Sequence, residues 1–383
     1  PDYCRVEATK KEYEVALASK DAPKVSLVTG ASGLVGSRLV SMLVQRGGEK
    51  VIALDLAPAS EEIKAEHKKV LGADVSKVEY VQGDITDLES MKKLLKGVDC
   101  LFNVAAIVGP YYPIPLYDKV NNQGVRVLVE ACKFNKVPKM VMTSSPSTRM
   151  NGDDIYNKKE EDLPNPMSFV QLQEYARTKA LGEDFALKQN SDDFLVCAIG
   201  PHQVYGPMDK LFLPSFMETA ANGRLRILGT GQNIISFTHV DNCAHAHILA
   251  AKKLVKANVA PAGKYYVVTD GGAQYMWHAL DQAVVSAGFT SLQDKFNLNT
   301  CFLYPVAYLC QLITKITGKH MKLNPFVVKM VSMNRYFNIE NLRKDVGYNP
   351  IRSFEETWPE TCEVILKRMG LPYKKYEKRV IGR

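Results

Sequence analysis

The sequence predicts an α/β fold, a doubly wound parallel sheet with helices on both faces, on three observations. A glycine-rich turn joins an apolar run to a helical pattern near the start. A second apolar run ends in a carboxylate. Strand-like and helix-like segments then alternate as far as Gly200.

The glycine turn comes first. Val25 to Gly36 reads V-S-L-V-T-G-A-S-G-L-V-G. The apolar run stops at Thr29 and Gly30, and a helical pattern follows through Leu39, Val40, Leu43 and Val44. Gly30 allows a sharp turn. Gly33 lets the backbone approach a ligand, and Gly36 lets the helix pack on the strand. Ser32 lies in the turn, and Leu34 and Val35 open the helix, whose unpaired N–H groups and positive dipole end suit a pyrophosphate. The spacing is G-x-x-G-x-x-G and not the commoner Rossmann G-x-G-x-x-G.

The next strand, Lys50–Leu54, runs into Asp55, 19 residues beyond Gly36. A carboxylate there accepts from a ribose 2′-hydroxyl and repels a 2′-phosphate. No basic residue follows it directly, so NAD is expected over NADP, with Arg38 the one nearby cation against that reading.

Further strands are expected at Val78–Val81, Cys100–Val104, Lys139–Thr143 and Phe194–Ile199. Helices are expected at Ser60–Leu71, Asp87–Leu95, Tyr117–Phe134 and Phe169–Lys188, with a Thr86/Glu89 capping box on the second. Asp84 and Ile85, after the third strand, and Val104 and Ala105, after the fourth, fall at the sheet's carboxyl edge, where a dinucleotide lies. The chain divides into an N-terminal extension, 1–23, a Rossmann-type dinucleotide-binding domain, 24–200, and a smaller C-terminal substrate lobe, 201–383, some of which returns to the core.

Composition agrees. A chain of 383 residues with 46% hydrophobic content can bury a large core. The net charge of +8 is concentrated late, at Lys315, Lys319, Lys322 and Lys329 and again at Lys367, Arg368, Lys374, Lys375, Lys378, Arg379 and Arg383. No nucleic-acid motif accompanies it, which leaves a solvated or membrane-facing surface. The eight cysteines, Cys4 among them, are scattered without a C-x-x-C, as buried free thiols are in a reducing intracellular compartment. The seven histidines make no metal pattern, so no metal is expected. No apolar run reaches eighteen residues. Thr300 to Thr317 is apolar and too short to span, and reads as a core helix or as a membrane-docking helix.

Chemistry enters with Tyr175 and Lys179, four apart on one helix face. An adjacent ammonium lowers a phenol's pKa, which makes Tyr-x-x-x-Lys beside a nicotinamide a workable base. Thr143 runs into Ser144-Ser145-Pro146-Ser147, hydroxyls at the carboxyl edge of a central strand, where one can hold a substrate oxygen.

These motifs in this order (T-G-A-S-G-L-V-G, Asp55, Gly83-Asp84, T-S-S-P-S, Y-A-R-T-K) resemble an extended short-chain dehydrogenase/reductase. Phe237–Ala251 and Gly200–Pro207 are similar to the 3β-hydroxysteroid dehydrogenase family, including its sterol 4α-carboxylate dehydrogenases. The resemblance implies Ser145 as hydroxyl donor, Tyr175 as base, Lys179 as the group that lowers its pKa and holds the nicotinamide ribose, and Asn121 as a relay residue. It implies NAD-dependent oxidation of a secondary alcohol, the 3β-hydroxyl of a sterol-like lipid. Nucleotide-sugar epimerases usually carry an arginine where Ile235 stands, so Ile235 speaks for an apolar substrate. The sequence departs from the family pattern at Gly200, where an arginine is usual, and at Asn103, where a histidine is frequent. The other readings are a dinucleotide-holding structural subunit of a membrane assembly and a sugar epimerase or dehydratase. A soluble or peripheral organellar location, such as the endoplasmic reticulum, and a homodimer or a larger complex are each compatible with this. Loops Ile107–Tyr117 and Arg149–Ser168 are expected to border an apolar pocket, the second as a mobile lid or a partner surface, with Tyr111 and Tyr112 the side chains able to plug it.

Overall fold

In the computed structural model the described residues are 9–109, 112–257, 260–317, 321 and 323–376. Cys4, Tyr111, Lys319, Lys322, Lys378, Arg379 and Arg383 lie outside them. The apolar runs pair side by side, since strands buried on both faces need neighbours on both edges. β1 (Val25–Thr29), β2 (Lys50–Asp55), β3 (Val78–Gln82), β4 (Cys100–Asn103), β5 (Lys139–Thr143), β6 (Leu195–Pro201) and β7 (Tyr265–Val268) form one seven-stranded parallel sheet. Their order is β7-β6-β5-β4-β1-β2-β3. Winding reverses between β1 and β4, where Thr29 pairs with Asn103, so the carboxyl ends of these strands open the ligand crevice.

One face of the sheet is covered by the helices Leu34–Gln45 and Val240–Lys253 through Leu39, Val40, Leu43, Ala244 and Ile248. The other is covered by Leu88–Leu94, Gly124–Phe134 and Glu174–Lys188 through Met91, Leu128 and Ala186. After β6 the chain builds a second lobe with its own core around Tyr205, Phe237, Trp277 and Trp358. A small sheet in the order Gln274–Tyr275, Ile234–Ile235, Arg335–Phe337, Ile155–Lys158 joins this lobe to the segment after β5.

Several expected boundaries shift for local reasons. The helix expected from Phe169 begins at Glu174, because Gln171 donates to the carbonyls of Thr148 and Pro166 and holds the preceding stretch outside the helix. Thr86 does not cap the Leu88–Leu94 helix. Its hydroxyl donates to Asp84, and Asp87 caps instead by accepting from Ser90 N–H. The helix expected from Tyr117 starts at Ile114 and carries a π turn at Lys119–Gln123. The segment Arg149–Ser168 is not a free lid. Asp154 accepts from Asn334, Lys159 pairs with Glu340, and Glu160 accepts from Val267 N–H and Asn341. Ile235 is fully buried in the second core, so it denies a cation to that position without lining a pocket.

Candidate active site

The cradle follows from the glycines. Gly30 has φ +67°, and a Cβ there would lie 2.8 Å from Ala105 Cα. A Cβ at Gly36 would lie 2.1 Å from the Gly30 carbonyl oxygen. These contacts hold the Leu34 helix against β1 and bring Val104 and Ala105 across the turn, where both N–H groups donate to Thr29 Oγ1 at 3.1 Å. No side chain caps the Leu34 helix, whose N-cap is the exposed Gly33. Its first N–H groups therefore face the crevice without intrahelical partners, an anion receptor made of backbone.

Asp55 sits over this turn. Its Oδ2 accepts from Ser32 N–H at 2.8 Å and its Oδ1 from Leu56 N–H at 2.7 Å. Each carboxylate oxygen has a further lone-pair direction for a ribose hydroxyl. Arg38 points elsewhere. It is bound to Asp241, Ser41, Gln45 and Tyr13, so it offers no site for a 2′-phosphate. The residues thus fit an adenine dinucleotide without the extra phosphate. Asp84 accepts from Thr86 and pairs with Lys119 at 3.2 Å, and Ile85 is buried beside Gly124.

At the carboxyl end of β5 the chain turns through Ser144 and Ser145 into a short 3-10 turn, Pro146–Arg149, capped by Ser145. The two serines diverge. Ser144 is buried and donates to Glu183, while Ser145 stays partly open, its hydroxyl accepting from Ser147 and lying close enough to Tyr175 to act on the phenol. Lys179 is buried one turn further along the same helix and donates to the Thr143 carbonyl.

The electrostatics correct one expectation. Burial pushes the Tyr175 phenol above its ordinary value, and only the Ser145 hydrogen bond pulls it down. Lys179 does not lower it here, because the ammonium is spent on Thr143 and is itself pushed by burial down to about 8. Asn121 Oδ1 accepts from Ile107 N–H at 2.9 Å and its Nδ2 donates to the Ile107 carbonyl and Thr178 Oγ1, so the carboxamide positions the Ile107 loop.

Sequence reasoning missed the support beneath this set. Glu183, one turn after Lys179, pairs with Arg149 and accepts from Ser144. His247 Nδ1 lies 2.8 Å from the Cys243 carbonyl, which fixes it as the protonated nitrogen, so Nε2 accepts from Thr143 Oγ1 at 2.8 Å. His245, on the opposite helix face, accepts from the buried Arg46 at 2.6 Å, and Arg46 in turn pairs with Asp21. The two-residue offset of these histidines was the one available signal. Among the described residues no group of three metal-ligating side chains occurs.

A glycine cradle at the switch of a doubly wound sheet, with Ser145, Tyr175 and Lys179 at the edge of β5, defines an oxidoreductase of the extended short-chain dehydrogenase type. The sequence matches the profile of the 3-beta hydroxysteroid dehydrogenase/isomerase family over residues 27–307, and the chain belongs to that family. It is 31% identical to the 3beta-hydroxysteroid-dehydrogenase/decarboxylase isoform 1 of Arabidopsis thaliana, over 88% of this chain and 78% of that one. It is 28% identical to a 2-alkyl-3-oxoalkanoate reductase of Stenotrophomonas maltophilia, over 86% and 96%. In fold it is similar to a dTDP-glucose 4,6-dehydratase of Streptomyces venezuelae solved with NAD bound (TM-score 0.68, 20% identity, covering 90% of this chain and 98% of that one).

Proposed function

We propose that this chain oxidises a secondary alcohol of a sterol-like lipid, the 3β-hydroxyl, with NAD. The observation that carries the reading is Ser145 beside Tyr175, with Lys179 one turn along the same helix, next to an uncapped glycine cradle. Gly30, Ser32, Gly33, Leu34, Val35 and Gly36 would hold the pyrophosphate, Asp55 the adenosine ribose, and Tyr175 and Lys179 the nicotinamide ribose. When bound, oxidised NAD supplies the hydride acceptor and a positive charge. Ser145 donates to the alcohol oxygen and holds it against Tyr175, which takes the hydroxyl proton as the carbon gives up its hydride. Lys179 would fix the nicotinamide ribose, and the positive charge that favours the phenolate would come from the oxidised nicotinamide.

An apolar substrate is supported by exposed side chains on the two flanking loops, Val108, Tyr112 and Ile114 on one and Met167 on the other, with Val170 and Leu172 just beyond it. The family match and the Arabidopsis relative support a sterol. The test offers the purified chain NAD with a 3β-hydroxysterol, with and without a 4α-carboxylate, and with a nucleotide sugar, and offers NADH with a 2-alkyl-3-oxoalkanoate. NADH formation on a sterol is the expected result. Turnover confined to the sugar or to the oxoalkanoate overturns the sterol. Tight NAD binding with no turnover at all returns the structural-subunit reading.

A further inference from the structure

Three arginines of the described residues are less than a tenth exposed: Arg46, Arg149 and Arg335. Two of them have carboxylates. Arg46 pairs with Asp21 at 2.7 Å and Arg149 with Glu183 at 2.5 Å. Arg335 has none among the described residues. Its Nη2 donates to the Met330 carbonyl at 2.6 Å, its Nη1 makes only long contacts, 3.5 Å to His202 Nε2 and 3.8 Å to the Met330 sulfur, and its Nε–H has no partner. His202 is no counter-ion. Its Nδ1 lies 2.6 Å from the Ser236 carbonyl and so carries the ring proton, which leaves Nε2 facing the guanidinium as a neutral acceptor. Burial, with Arg335 beside it, pushes His202 down to about 3. Burial also pushes Arg335 down, to about 10, which leaves it a cation at neutral pH. A buried charge without its opposite is among the costliest groups a fold can carry. A binding site keeps such a charge because the ligand supplies the missing one.

The place of Arg335 says which ligand. Its strand, Arg335–Phe337, pairs with Ile155 and Ile235, and the Phe337 ring packs on His202 with centroids 5.0 Å apart. His202 is the first residue past β6. Thr143 of β5 pairs with Ile199 of β6, and Ser144 N–H donates to the Ile199 carbonyl at 2.7 Å. Ser144-Ser145 and Pro201-His202 therefore leave the same carboxyl edge of the sheet on adjacent strands, where a ligand lies. Arg335 stands one side chain beyond His202, on the second-lobe side of that edge. A single charge in so enclosed a position is matched by a planar monoanion, a carboxylate, and not by a phosphate dianion. We infer that Arg335 is a specificity residue of the substrate cleft, which takes a carboxylate that the substrate carries near the alcohol to be oxidised. This rests on the alcohol oxidation proposed above.

The test offers the NAD-loaded full chain two 3β-hydroxysterols that differ only in a 4α-carboxylate. Arg335→Gln keeps N–H groups for Met330 and removes the charge. It should lower kcat/KM on the carboxylate-bearing sterol on the order of a hundredfold, through KM, and leave the plain sterol within a few-fold of wild type. Arg335→Lys, which keeps the charge, should recover part of the loss. An equal loss on both sterols overturns the inference, as does no loss on either. A second arm needs no turnover. Melting of the NAD-loaded chain is compared in sodium acetate and in sodium chloride at equal ionic strength. Wild type is expected to melt higher in acetate, and Arg335→Gln to show no such difference. The same acetate effect in both overturns the inference. So does an Arg335→Gln variant that melts well below wild type in chloride, since a charge kept for binding does not stabilise the empty fold. The acetate arm reads Arg335 even if neither sterol is oxidised, so a failure of this inference and a failure of alcohol oxidation are told apart.

Discussion

Arg149 Nη2 lies 2.5 Å from Glu183 Oε1, and both side chains are less than a tenth exposed. The pair ties the turn that carries Ser145 to the helix that carries Tyr175 and Lys179. It also accounts for Gly200. A Cβ there would lie 2.2 Å from the Tyr265 hydroxyl, and the Arg149 guanidinium stacks 3.4 Å over the Tyr265 ring. The positive charge that the family pattern places at 200 thus reaches this region from the serine turn. Arg149→Ala leaves Glu183 buried and stripped of its cation, and should cost roughly 3–5 kcal/mol in urea denaturation. Arg149→Met with Glu183→Leu should recover much of that. If Arg149→Ala alone is neutral, the pair does not hold the turn.

Tyr175→Phe keeps the ring and removes the hydroxyl. Turnover should fall on the order of a hundredfold or more, while NAD titration by fluorescence stays near wild type. Near-normal oxidation by this variant would remove Tyr175 from its role as base.

The sheet was legible because its signals are local. Apolar runs and glycine turns recur at fixed order, and each strand expected up to β6 falls within a few residues of its observed span. The Ser145–Tyr175 meeting was legible through the spacing of Tyr175 and Lys179 and the position of the serines after a central strand. The support beneath was not, because Arg149–Glu183 and Thr143–His247 join residues 34 and 104 apart, and no spacing rule links them. The Phe237–Ala251 motif shows the same limit. Its polar residues clasp Arg38, Arg46, Thr143 and Asp270, so it reports how two parts of the chain join and not what they bind.

Asp55→Ala removes the acceptor over the glycine turn. NAD affinity should drop roughly tenfold, and discrimination against NADP should shrink because the repelling carboxylate is gone. Arg38 remains bound to Asp241 in the variant, so NADP should gain only modestly. Titration of both cofactors decides it, and a wild-type preference for NADP would show that Asp55 has another task.

Asp270 gives a pH-dependent stability with a definite sign. Its buried carboxyl accepts from His239 N–H at 2.7 Å, Asn242 Nδ2 at 2.7 Å and the Tyr205 hydroxyl at 3.0 Å, and burial still pushes it up to about 7. The unfolded value is about 3.9. Between these two values the folded chain holds a proton that the unfolded chain has released. The stabilisation from this group is therefore complete below about pH 4 and is lost as the pH rises through about 7. Asp270→Asn cannot ionise. Its Oδ1 can accept from His239 and Asn242, and its Nδ2 can donate to Tyr205, whose own proton goes to Thr357 Oγ1 at 2.6 Å. Wild type should therefore lose ground to the variant by a few kcal/mol between about pH 5 and pH 8 in matched urea titrations. A constant difference across that range would mean that Asp270 is already ionised when folded, and that its three donors outweigh the cost of burying the charge.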